Sequence, residues 1–559
     1  MPATATTSRS VLRQAISGQR RQVTLASVLA AGHQGGEALV PVIIGVVIDQ
    51  AVDGGSAGTL VFWLAVLALV FAGLSYSYRF AARAAEGASL RAAHDLRIAI
   101  SRRVLHPGGG AENGKLAGEL VNIGTSDAQR VGVVNAALPF GIAALAGVLV
   151  SAIALLRISL PLGLLVLLGT PPLLYLAHLI GKPLERRSEA EQERSAHASG
   201  VATDLVSGLR VLKGIGAEPA AVARYRDTSQ NSLKATLRAA RAKAWHDGAV
   251  LALTGVFIAI VALVGGHLAA SGSISVGDLV AAVGLAQFLL TPFLIFSWVN
   301  GELAQGRASA SRVADLLTTP AAVEPGGGEL PSPATGNVRL TEVSYGSLRG
   351  VNLDIPAGQL IGVVAADPAA ATDLLDCLGR AGDPAEGSVH VDGVDLSTVD
   401  PERVREVVLV AAHDADLFEG TLAENVGGGS PDEALAASAA DEVAAALPDG
   451  TRTAVTERGR SLSGGQRQRV ALARALAADA PVLVVHDPTT AVDTVTEAKI
   501  ATGLARLRRG RTTILVTTSP ALLAVADRVV VLDGGRITGE GGHAELVRDR
   551  ADYRAAVLS

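Results

Sequence analysis

The residues best suited to chemistry stand in one glycine-containing stretch, Leu462-Ser463-Gly464-Gly465-Gln466. The segment that follows it, VALARAL, has a composition that favours a helix. Two glycines and a serine hydroxyl at a helix N-terminus present backbone N–H groups and the positive end of the helix dipole, which together suit phosphate oxygens. The stretch therefore predicts a contact with a phosphate group.

A hydrophobic strand, Val482–Val485, follows this segment and leads into Asp487-Pro488-Thr489-Thr490-Ala491-Val492-Asp493. LSGGQ alone is a weak pattern, but LSGGQRQRVALARAL followed by such a strand and D-P-T-T-A-V-D is highly specific. The combination resembles the signature motif, Walker B strand and D-loop of ATP-binding-cassette (ABC) transporters. Residues 114–131 and 207–225 are similar to the two cytoplasmic loops of exporter-type members, and 287–317 to their sixth helix, so the resemblance covers nearly the whole chain.

The resemblance implies how the phosphate contact is used. In this family two halves pair, and ATP with Mg²⁺ is held between the Walker motifs of one half and the signature motif of the other. The residues expected to bind ATP in this way, in the site of a partner half, are Leu462, Ser463, Gly464, Gly465 and Gln466. Asp493, in the D-loop match, is expected to help align that opposed site.

The chain departs from the family at its own phosphate-binding loop. The motif G-x-x-x-x-G-K-[ST] supplies glycines for the loop, a lysine for the phosphate oxygens and a hydroxyl for Mg²⁺. The matching stretch reads Ala365-Ala366-Asp367-Pro368-Ala369-Ala370-Ala371-Thr372, in which only the hydroxyl of Thr372 remains. Ala365 and Ala370 replace glycines, Ala371 replaces the lysine, and Asp367 adds a negative charge. Two like charges about 5 Å apart repel by roughly 3 kcal/mol, which weakens binding by about two orders of magnitude.

Other positions depart in the same direction. In the Walker B match, His486 replaces the aspartate associated with Mg²⁺, and Asp487 replaces the glutamate that positions the attacking water. Aspartate is one methylene shorter, so it would hold that water poorly. In the Q-loop match Ala412-His413-Asp414, His413 replaces the glutamine, and in the switch-loop match Ser519 replaces the histidine. No catalytic residue is therefore expected in this chain's own site.

An intact signature beside degenerate Walker motifs implies a different partner. A homodimer would contain two defective sites, so we expect a heterodimer whose other half carries complete Walker motifs and binds most of the ATP and Mg²⁺. Two alternatives remain: a regulatory or scaffold membrane protein that transports nothing, and a homodimeric pump that binds nucleotide unconventionally. The resemblance leaves the cargo open among small molecules, lipids and peptides.

Six apolar stretches are long enough to cross a bilayer, which needs about 20 residues each: 23–50, 59–81, 131–156, 158–180, 247–270 and 277–299. The two long gaps between them are rich in Arg and Lys, whereas the short gaps hold little beyond Asp53 and Arg157. The positive-inside rule then places the N-terminus and both long gaps in the cytoplasm. Helix-favouring composition in the long gaps predicts helices that continue well beyond the membrane.

A second domain is expected after a Pro/Gly-rich linker at 318–336. From residue 337 short β-rich runs alternate with alanine-rich helical segments, which indicates an α/β fold with a largely parallel sheet. The predicted organisation is a cytoplasmic segment at 1–22, a six-helix all-α transmembrane domain at 23–317, the linker, and an α/β ABC-type ATPase domain at 337–559.

Composition excludes several other classes. A net charge of -5 without a basic stripe argues against a nucleic-acid partner. The one cysteine, Cys377, excludes a disulfide framework and a structural thiolate zinc site within this chain, and no metal site other than the Mg²⁺ site is expected. Abundant Ala, Arg and Gly with scarce Lys suggest a GC-rich bacterial genome, which indicates the bacterial inner membrane as the location.

Two ionisable residues stand inside the first apolar stretch. His33 and Glu37 are four positions apart and therefore share one face of a helix. Ionisable groups in a membrane span are costly and usually face a cavity or a partner. They are consistent with a substrate or proton site in a cavity, or with a hydrogen bond between helices.

Overall fold

The computed structural model describes residues 7–52, 57–413, 416–429 and 431–558. Asp53 and Asp414 lie outside these ranges, as does the beginning of the predicted segment 1–22. The chain divides into two compact units, one of residues 1–101 and 118–318 and the other of residues 102–117 and 319–559. Each unit is described by itself.

The first unit is built from helices. Their bounds are α1 Ser8–Gly18, α2 Arg20–Val47, α3 Ala57–Val104, α4 Ala117–Asn122, α5 Ala128–Ile158, α6 Leu160–Ser207, α7 Leu209–Gly214, α8 Glu218–Ala270, α9 Val276–Phe288 and α10 Leu290–Thr318, with π-helical turns at Ile48–Val52 and Ile123–Asp127. Thr7 caps α1 and Ser275 caps α9, in each case by accepting a hydrogen bond from the third backbone N–H of the helix.

Six helical segments of the described chain are long and apolar enough to cross a membrane, as the sequence predicts. They are Arg20–Gln50, Ala57–Val104, Ala117–Ile158, Leu160–Ser207, Glu218–Ala270 and Val276–Thr318. α3 and α6 have 48 residues each and α8 has 53. At about 1.5 Å per residue these helices are about 70–80 Å long, more than twice the roughly 30 Å of a hydrocarbon core. The predicted helical extensions are therefore confirmed.

Two polar contacts hold this unit together. Asp127 is buried and accepts hydrogen bonds from Arg312 Nε at 2.8 Å and from Ser309 Oγ at 2.9 Å, which ties the turn before α5 to the end of α10. Asp49 accepts a hydrogen bond from the Gly277 N–H at 2.8 Å, at the N-terminus of α9. α2 and α9 cross so closely there that a Cβ atom on Gly277 would lie 2.1 Å from the Gly45 oxygen. Only glycine permits this approach.

The second unit is an α/β domain. Its strands are β1 Val338–Ser344, β2 Val351–Ile355, β3 Leu360–Ala365, β4 Glu386–Val391, β5 Val394–Asp395, β6 Val408–Ala411, β7 Gly420–Thr421, β8 Ala454–Val455, β9 Val482–His486, β10 Thr512–Val516, β11 Arg528–Asp533 and β12 Arg536–Gly541. The main sheet has the order β12-β11-β3-β10-β9-β6, and all its strands except β12 run parallel. A second, antiparallel sheet has the order β2-β1-β4-β5.

Helices cover the main sheet. Their bounds are α11 Pro368–Leu378, α12 Pro401–Val407, α13 Leu422–Val426, α14 Pro431–Ala437, α15 Ala440–Ala446, α16 Gly464–Ala477, α17 Thr494–Leu507, α18 Pro520–Ala524, α19 His543–Asp549 and α20 Ala551–Leu558, with 3₁₀ turns at Leu396–Thr398, Gly450–Arg452 and Glu457–Gly459. Each face of the main sheet packs in a separate hydrophobic core. Val482 and Val484 of β9 pack with α11 and the antiparallel sheet, whereas Leu483 and Val485 pack with α16 and its neighbours.

The end of α3 and the loop after it belong to this second unit, which the sequence did not predict. Arg103 donates to the carbonyl oxygens of Thr319 at 3.2 Å and Pro320 at 2.9 Å. The Ala322 N–H donates to the Gly108 carbonyl at 2.9 Å. Hydrogen bonds to backbone groups of residues 319–322 therefore hold the start of the linker against the loop after α3.

Cys377 lies on α11 inside the core. Burial, reinforced by the carboxylates of Asp376, Asp373 and Asp383, raises the pKa of its thiol to about 12. The thiolate is the reactive form, so we expect Cys377 in the native chain to react with maleimide about a hundredfold or more slower than an exposed thiol at pH 8. Mass spectrometry measures this directly. The matched control is Ala445→Cys, at an exposed position on α15, and equal labelling of both thiols in the native protein would contradict the prediction.

Candidate functional site

The parallel order of the main sheet brings the predicted site residues to one edge. β3 ends at Ala365, β9 at His486, β10 at Val516 and β6 at Ala411. In the register of the sheet Val516 pairs with both Val363 and His486. Carboxyl ends of parallel strands meet at the same edge, and ligands of open α/β sheets bind there. The Walker A, Walker B, Q-loop and switch matches therefore lie in one neighbourhood.

The Walker A match is folded as a short turn into a helix. β3 ends at Ala365 and α11 begins at Pro368, so only Ala366 and Asp367 connect them. Asp367 is the N-cap residue, and its carboxylate accepts a hydrogen bond from the Ala369 N–H at 2.9 Å. Its carbonyl oxygen accepts from the N–H groups of Ala370 at 3.1 Å and Ala371 at 3.3 Å. Pro368 has no N–H to offer.

This geometry engages the first backbone N–H groups of α11 within the chain. A phosphate-binding loop works by turning several free backbone N–H groups toward the anion, and those of residues 369–371 are already bonded to Asp367. The Thr372 hydroxyl, the one Walker A group that remains, donates to the Pro368 carbonyl at 3.1 Å. Glycine would allow the chain to open around a phosphate, whereas the alanines here continue the helix.

The Walker B and Q-loop matches put two histidines side by side. The rings of His413 and His486 have centroids 6.0 Å apart. His413 Nδ1 lies 3.3 Å from the Asp487 carbonyl oxygen and therefore donates to it. His486 Nε2 lies 3.8 Å from the Asp487 carboxylate. Among the described residues no three His, Cys, Asp or Glu side chains are grouped to hold a metal ion.

These histidines border a cavity of about 410 Å³. Its other polar lining residues include Gln468 and Arg474 of α16 and Asp416. Asp487 has a backbone φ of 43°, a left-handed conformation that costs energy for a residue with a side chain. The Asp487 N–H donates to the Val516 carbonyl at 3.0 Å, which ties this residue to β10.

Ser519, at the switch position, caps a helix. It is the N-cap of α18, and its hydroxyl accepts from the Leu522 N–H at 3.2 Å. A serine is a good cap but is too short to reach as far as a histidine side chain, and it titrates nothing near neutral pH. The structure thus places every predicted residue of the chain's own site at one sheet edge while engaging Asp367 and Ser519 in helix caps.

The signature stretch forms the N-terminus of α16. Ser463 is the N-cap: its hydroxyl accepts from the Gln466 N–H at 3.3 Å, and the Gln466 side chain accepts from the Ser463 N–H at 2.8 Å. Leu462 is buried, whereas Ser463 is exposed. The N–H groups of Gly464 and Gly465 precede the first bond within the helix and therefore point out of its end. This helix end can accept an anion.

The signature helix is fixed to the D-loop within the same chain. Gln468 Nε2 donates to the Thr490 hydroxyl at 2.7 Å, and its Oε1 accepts from the Ala491 N–H at 2.9 Å. A Cβ atom on Gly465 would lie 2.4 Å from the Ala491 carbonyl oxygen, so this contact requires glycine. The two loops that the sequence assigns to a partner's site are therefore positioned as one piece.

Asp493 ends the D-loop and caps α17. Its carboxylate accepts from the N–H groups of Thr496 at 3.0 Å and Val495 at 3.1 Å. These backbone hydrogen bonds, with that of Thr496 foremost, lower the pKa of Asp493 below its usual value. The carboxylate is therefore ionised at neutral pH. Because Asp493 is exposed, it places a negative charge on the surface at the end of the D-loop.

The sequence analysis did not predict the hydrogen-bonding roles of two residues at the site, Asp367 and Gln468. The hydrogen-bonding role of Asp367 could have been found from the pair Asp367-Pro368, because Asp is a favoured N-cap and Pro a favoured first helical residue. Gln468 carried no comparable signal, since its two contacts join residues more than twenty positions apart in the sequence.

Comparison with known proteins supports the family resemblance. Residues 23–293 match the family model "ABC transporter transmembrane region" and residues 348–490 match "ABC transporter". A multidrug efflux ATP-binding/permease protein of Mycobacterium tuberculosis is 32% identical over 530 residues, which cover 92% of this chain. The chain spans only 44% of the length of that relative.

Shorter relatives match over more of their length. An ATP-dependent lipid A-core flippase of Burkholderia pseudomallei is 29% identical over 563 residues, covering 95% of this chain and 92% of the relative. One of Thiobacillus denitrificans is 30% identical over 70% of each chain. The fold is similar to that of a bacterial Atm1-family ABC exporter with ATP bound, with a TM-score of 0.73 over 98% of both chains at 22% identity. On the family models and these identities, the chain belongs to the ABC transporter family.

Proposed function

We propose that this chain is one subunit of an ATP-driven exporter, and that it completes the catalytic ATP site of a different subunit while its own site performs no hydrolysis. The observation that carries the proposal is a contrast between two helix N-termini. That of α11 is occupied by the Asp367 carboxylate, whereas that of α16 is exposed at Ser463. The N-terminus of α16, which can bind an anion, therefore stays accessible to ATP held by a partner subunit.

Charge supports the same assignment. The N-terminus of a helix carries roughly half a positive charge, and one carboxylate at that position offsets its attraction for a phosphate. Asp367 supplies that carboxylate at α11. At α16 the cap is the neutral Ser463, and Gly464 and Gly465 let a ligand approach the backbone. ATP and Mg²⁺ are therefore assigned mainly to the Walker motifs of the partner subunit.

Catalytic chemistry in the chain's own site is also incomplete. Hydrolysis needs a carboxylate that reaches the attacking water and a group that holds Mg²⁺. Asp487 is one methylene shorter than the glutamate of the family motif, and the positions of the Mg²⁺-associated aspartate and the switch histidine carry His486 and Ser519. A subunit of this kind needs a heterodimeric partner with complete Walker motifs.

The proposed transport cycle follows from this division of roles. ATP bound by the partner's Walker motifs brings the two nucleotide-binding domains together, with Ser463, Gly464 and Gly465 against the γ-phosphate. The helical extensions of α3, α6 and α8 transmit the closure to the membrane spans, and hydrolysis resets it. The complex would lie in a bacterial inner membrane, with the N-terminus and the nucleotide-binding domain in the cytoplasm.

ATP hydrolysis by the purified chain, alone and after co-expression with the product of the adjacent gene, tests the proposal. We expect turnover by the chain alone to be at least about a hundredfold slower than by the mixture, because a missing general base costs that much or more. Loss of turnover in the mixture on mutation of the partner's Walker B glutamate would assign the active site. Rapid turnover by this chain alone would instead establish a self-sufficient homodimeric pump.

Ser463→Arg tests the contribution made in trans. The arginine side chain would fill the space over the N-terminus of α16 and displace the γ-phosphate, so turnover by the co-expressed complex should fall by about a hundredfold or more. Ala445→Arg, at an exposed position on α15, is the control for adding a surface arginine. Unchanged turnover in Ser463→Arg would show that this signature stretch does not complete a catalytic site.

Asp367→Asn separates charge from capping at α11. Asparagine caps a helix as well as aspartate does, so the fold should be unchanged. Removal of the charge should strengthen binding of a fluorescent ATP analogue to the full chain by about tenfold to a hundredfold, as measured by fluorescence anisotropy. Asp395→Asn, at another capping aspartate, is the matched control. Equal affinities in wild type and Asp367→Asn would mean that charge at this loop does not set nucleotide binding.

A further inference from the structure

A carboxylate lies one helical turn from the first of a row of aromatic rings in the helical unit. Glu37 lies on α2, and one turn before it His33 packs against Tyr78 of α3 with ring centroids 5.2 Å apart. Tyr78 is 6.3 Å from Phe140 of α5, which is 6.2 Å from Trp298 of α10. Four helices that are far apart in the sequence therefore contribute to one continuous group.

All of these residues lie inside segments able to span a membrane. An ionisable side chain inside a membrane span is costly unless it faces a partner or a cavity. The Glu37 side chain is 45% exposed in this subunit, and Trp298 is 44% exposed. Exposure of a carboxylate to hydrocarbon would be unfavourable, so this face is suited to a polar or charged molecule.

The contacts of Glu37 within the described residues include no permanently charged cation. Its carboxylate accepts a hydrogen bond from Gln34 Nε2 at 3.1 Å, and Gln34 is neutral. His33 Nδ1 is 2.9 Å from the Leu74 carbonyl oxygen, to which it donates, and its Nε2 is 3.9 Å from Glu37, beyond hydrogen-bond distance. Within the described residues no Lys or Arg nitrogen forms an ion pair with Glu37 at 4.0 Å or less.

The aromatic rings of this group favour one sign of charge. The face of an aromatic ring is electrostatically negative and attracts a cation within about 6 Å of its centroid. A delocalised organic cation is poorly hydrated, so it loses little on leaving water, and its apolar groups can pack on the rings. An anion would be repelled both by Glu37 and by the ring faces.

From this arrangement we propose that Glu37, Tyr78, Phe140 and Trp298 form part of a binding site for lipophilic organic cations, with Glu37 as the counter-charge. The inference rests on the proposed export function for its biological meaning, because the cation would be the cargo. The binding step itself requires neither ATP nor hydrolysis.

Equilibrium binding of two probes of the same shape and opposite charge tests the site. Tetraphenylphosphonium is the cation and tetraphenylborate the anion. Binding is measured without nucleotide on the full chain in nanodiscs of zwitterionic lipid, with empty nanodiscs subtracted. We expect Glu37→Gln to raise the Kd of tetraphenylphosphonium by about tenfold or more and to leave that of tetraphenylborate unchanged or lower.

Two further variants separate charge from packing. Glu37→Asp keeps the charge and should retain most of the cation affinity, which also shows that a loss in Glu37→Gln is not a folding defect. Glu189→Gln removes an exposed carboxylate from α6, outside the aromatic group, and should leave the Kd of both probes unchanged. Replacement of Trp298 by Leu should weaken cation binding by severalfold, whereas Phe at this position should preserve it.

The outcomes distinguish this site from the proposed export function. Equal binding of both probes to the wild-type chain, or a Kd for tetraphenylphosphonium that does not respond to Glu37→Gln, would overturn the cation site even if the ATPase predictions hold. Cation-selective binding that depends on Glu37 would support the site even if the chain proves to be a scaffold without transport.

Discussion

The positive end of a helix attracts an anion, and the chain satisfies this constraint differently at two helices of one domain. At α11 the anion is the Asp367 carboxylate, supplied from within the chain and bonded to the Ala369 N–H at 2.9 Å. At α16 the cap is the neutral Ser463, which leaves the outward N–H groups of the helix for a ligand. Capping stabilises a helix by about 1 kcal/mol, so Asp367 stabilises the first helix and places a carboxylate at its N-terminus.

Close backbone contacts then decide how firmly the remaining helix end is presented. The approach of Gly465 to the Ala491 carbonyl and the double hydrogen bond of Gln468 hold the signature stretch against the D-loop. Because both loops are fixed to the same β9–α16 framework, a motion of this framework moves Ser463 and Asp493 together. This coupling suits a surface that must fit a nucleotide held by another subunit.

Two carboxylates of the helical unit are likewise satisfied by contacts within the chain. Asp127 is buried but fully engaged by Arg312 and Ser309, and Asp49 is engaged at the N-terminus of α9. Burying a carboxylate is tolerated only when it is paired and hydrogen-bonded. Glu37 differs, since within the described residues it accepts a hydrogen bond from the neutral Gln34 and lies 3.9 Å from His33. This difference is what makes it a candidate for binding rather than for stability.

The sequence by itself determined the architecture and the family. Six apolar segments, helical extensions and a largely parallel sheet follow from hydropathy, composition and short β-rich runs, because such patterns depend on local periodicity. The antiparallel sheet escaped prediction because β2 and β5 are short and because its central pairing, of β1 with β4, joins residues far apart in sequence, such as Val338 and Val391. Substitutions in the Walker motifs were visible in the sequence as well.

Only the tertiary structure showed which groups the substituted residues contact. That Asp367 uses the N–H groups of its own helix, that Gln468 joins two loops, and that rings from three other helices form a row with His33, one turn before Glu37, all depend on distances between residues far apart in the chain or on backbone conformation. A sequence lists donors, acceptors and charges, but hydrogen bonding and charge compensation are set within about 3–4 Å, and only the folded chain specifies which groups come that close.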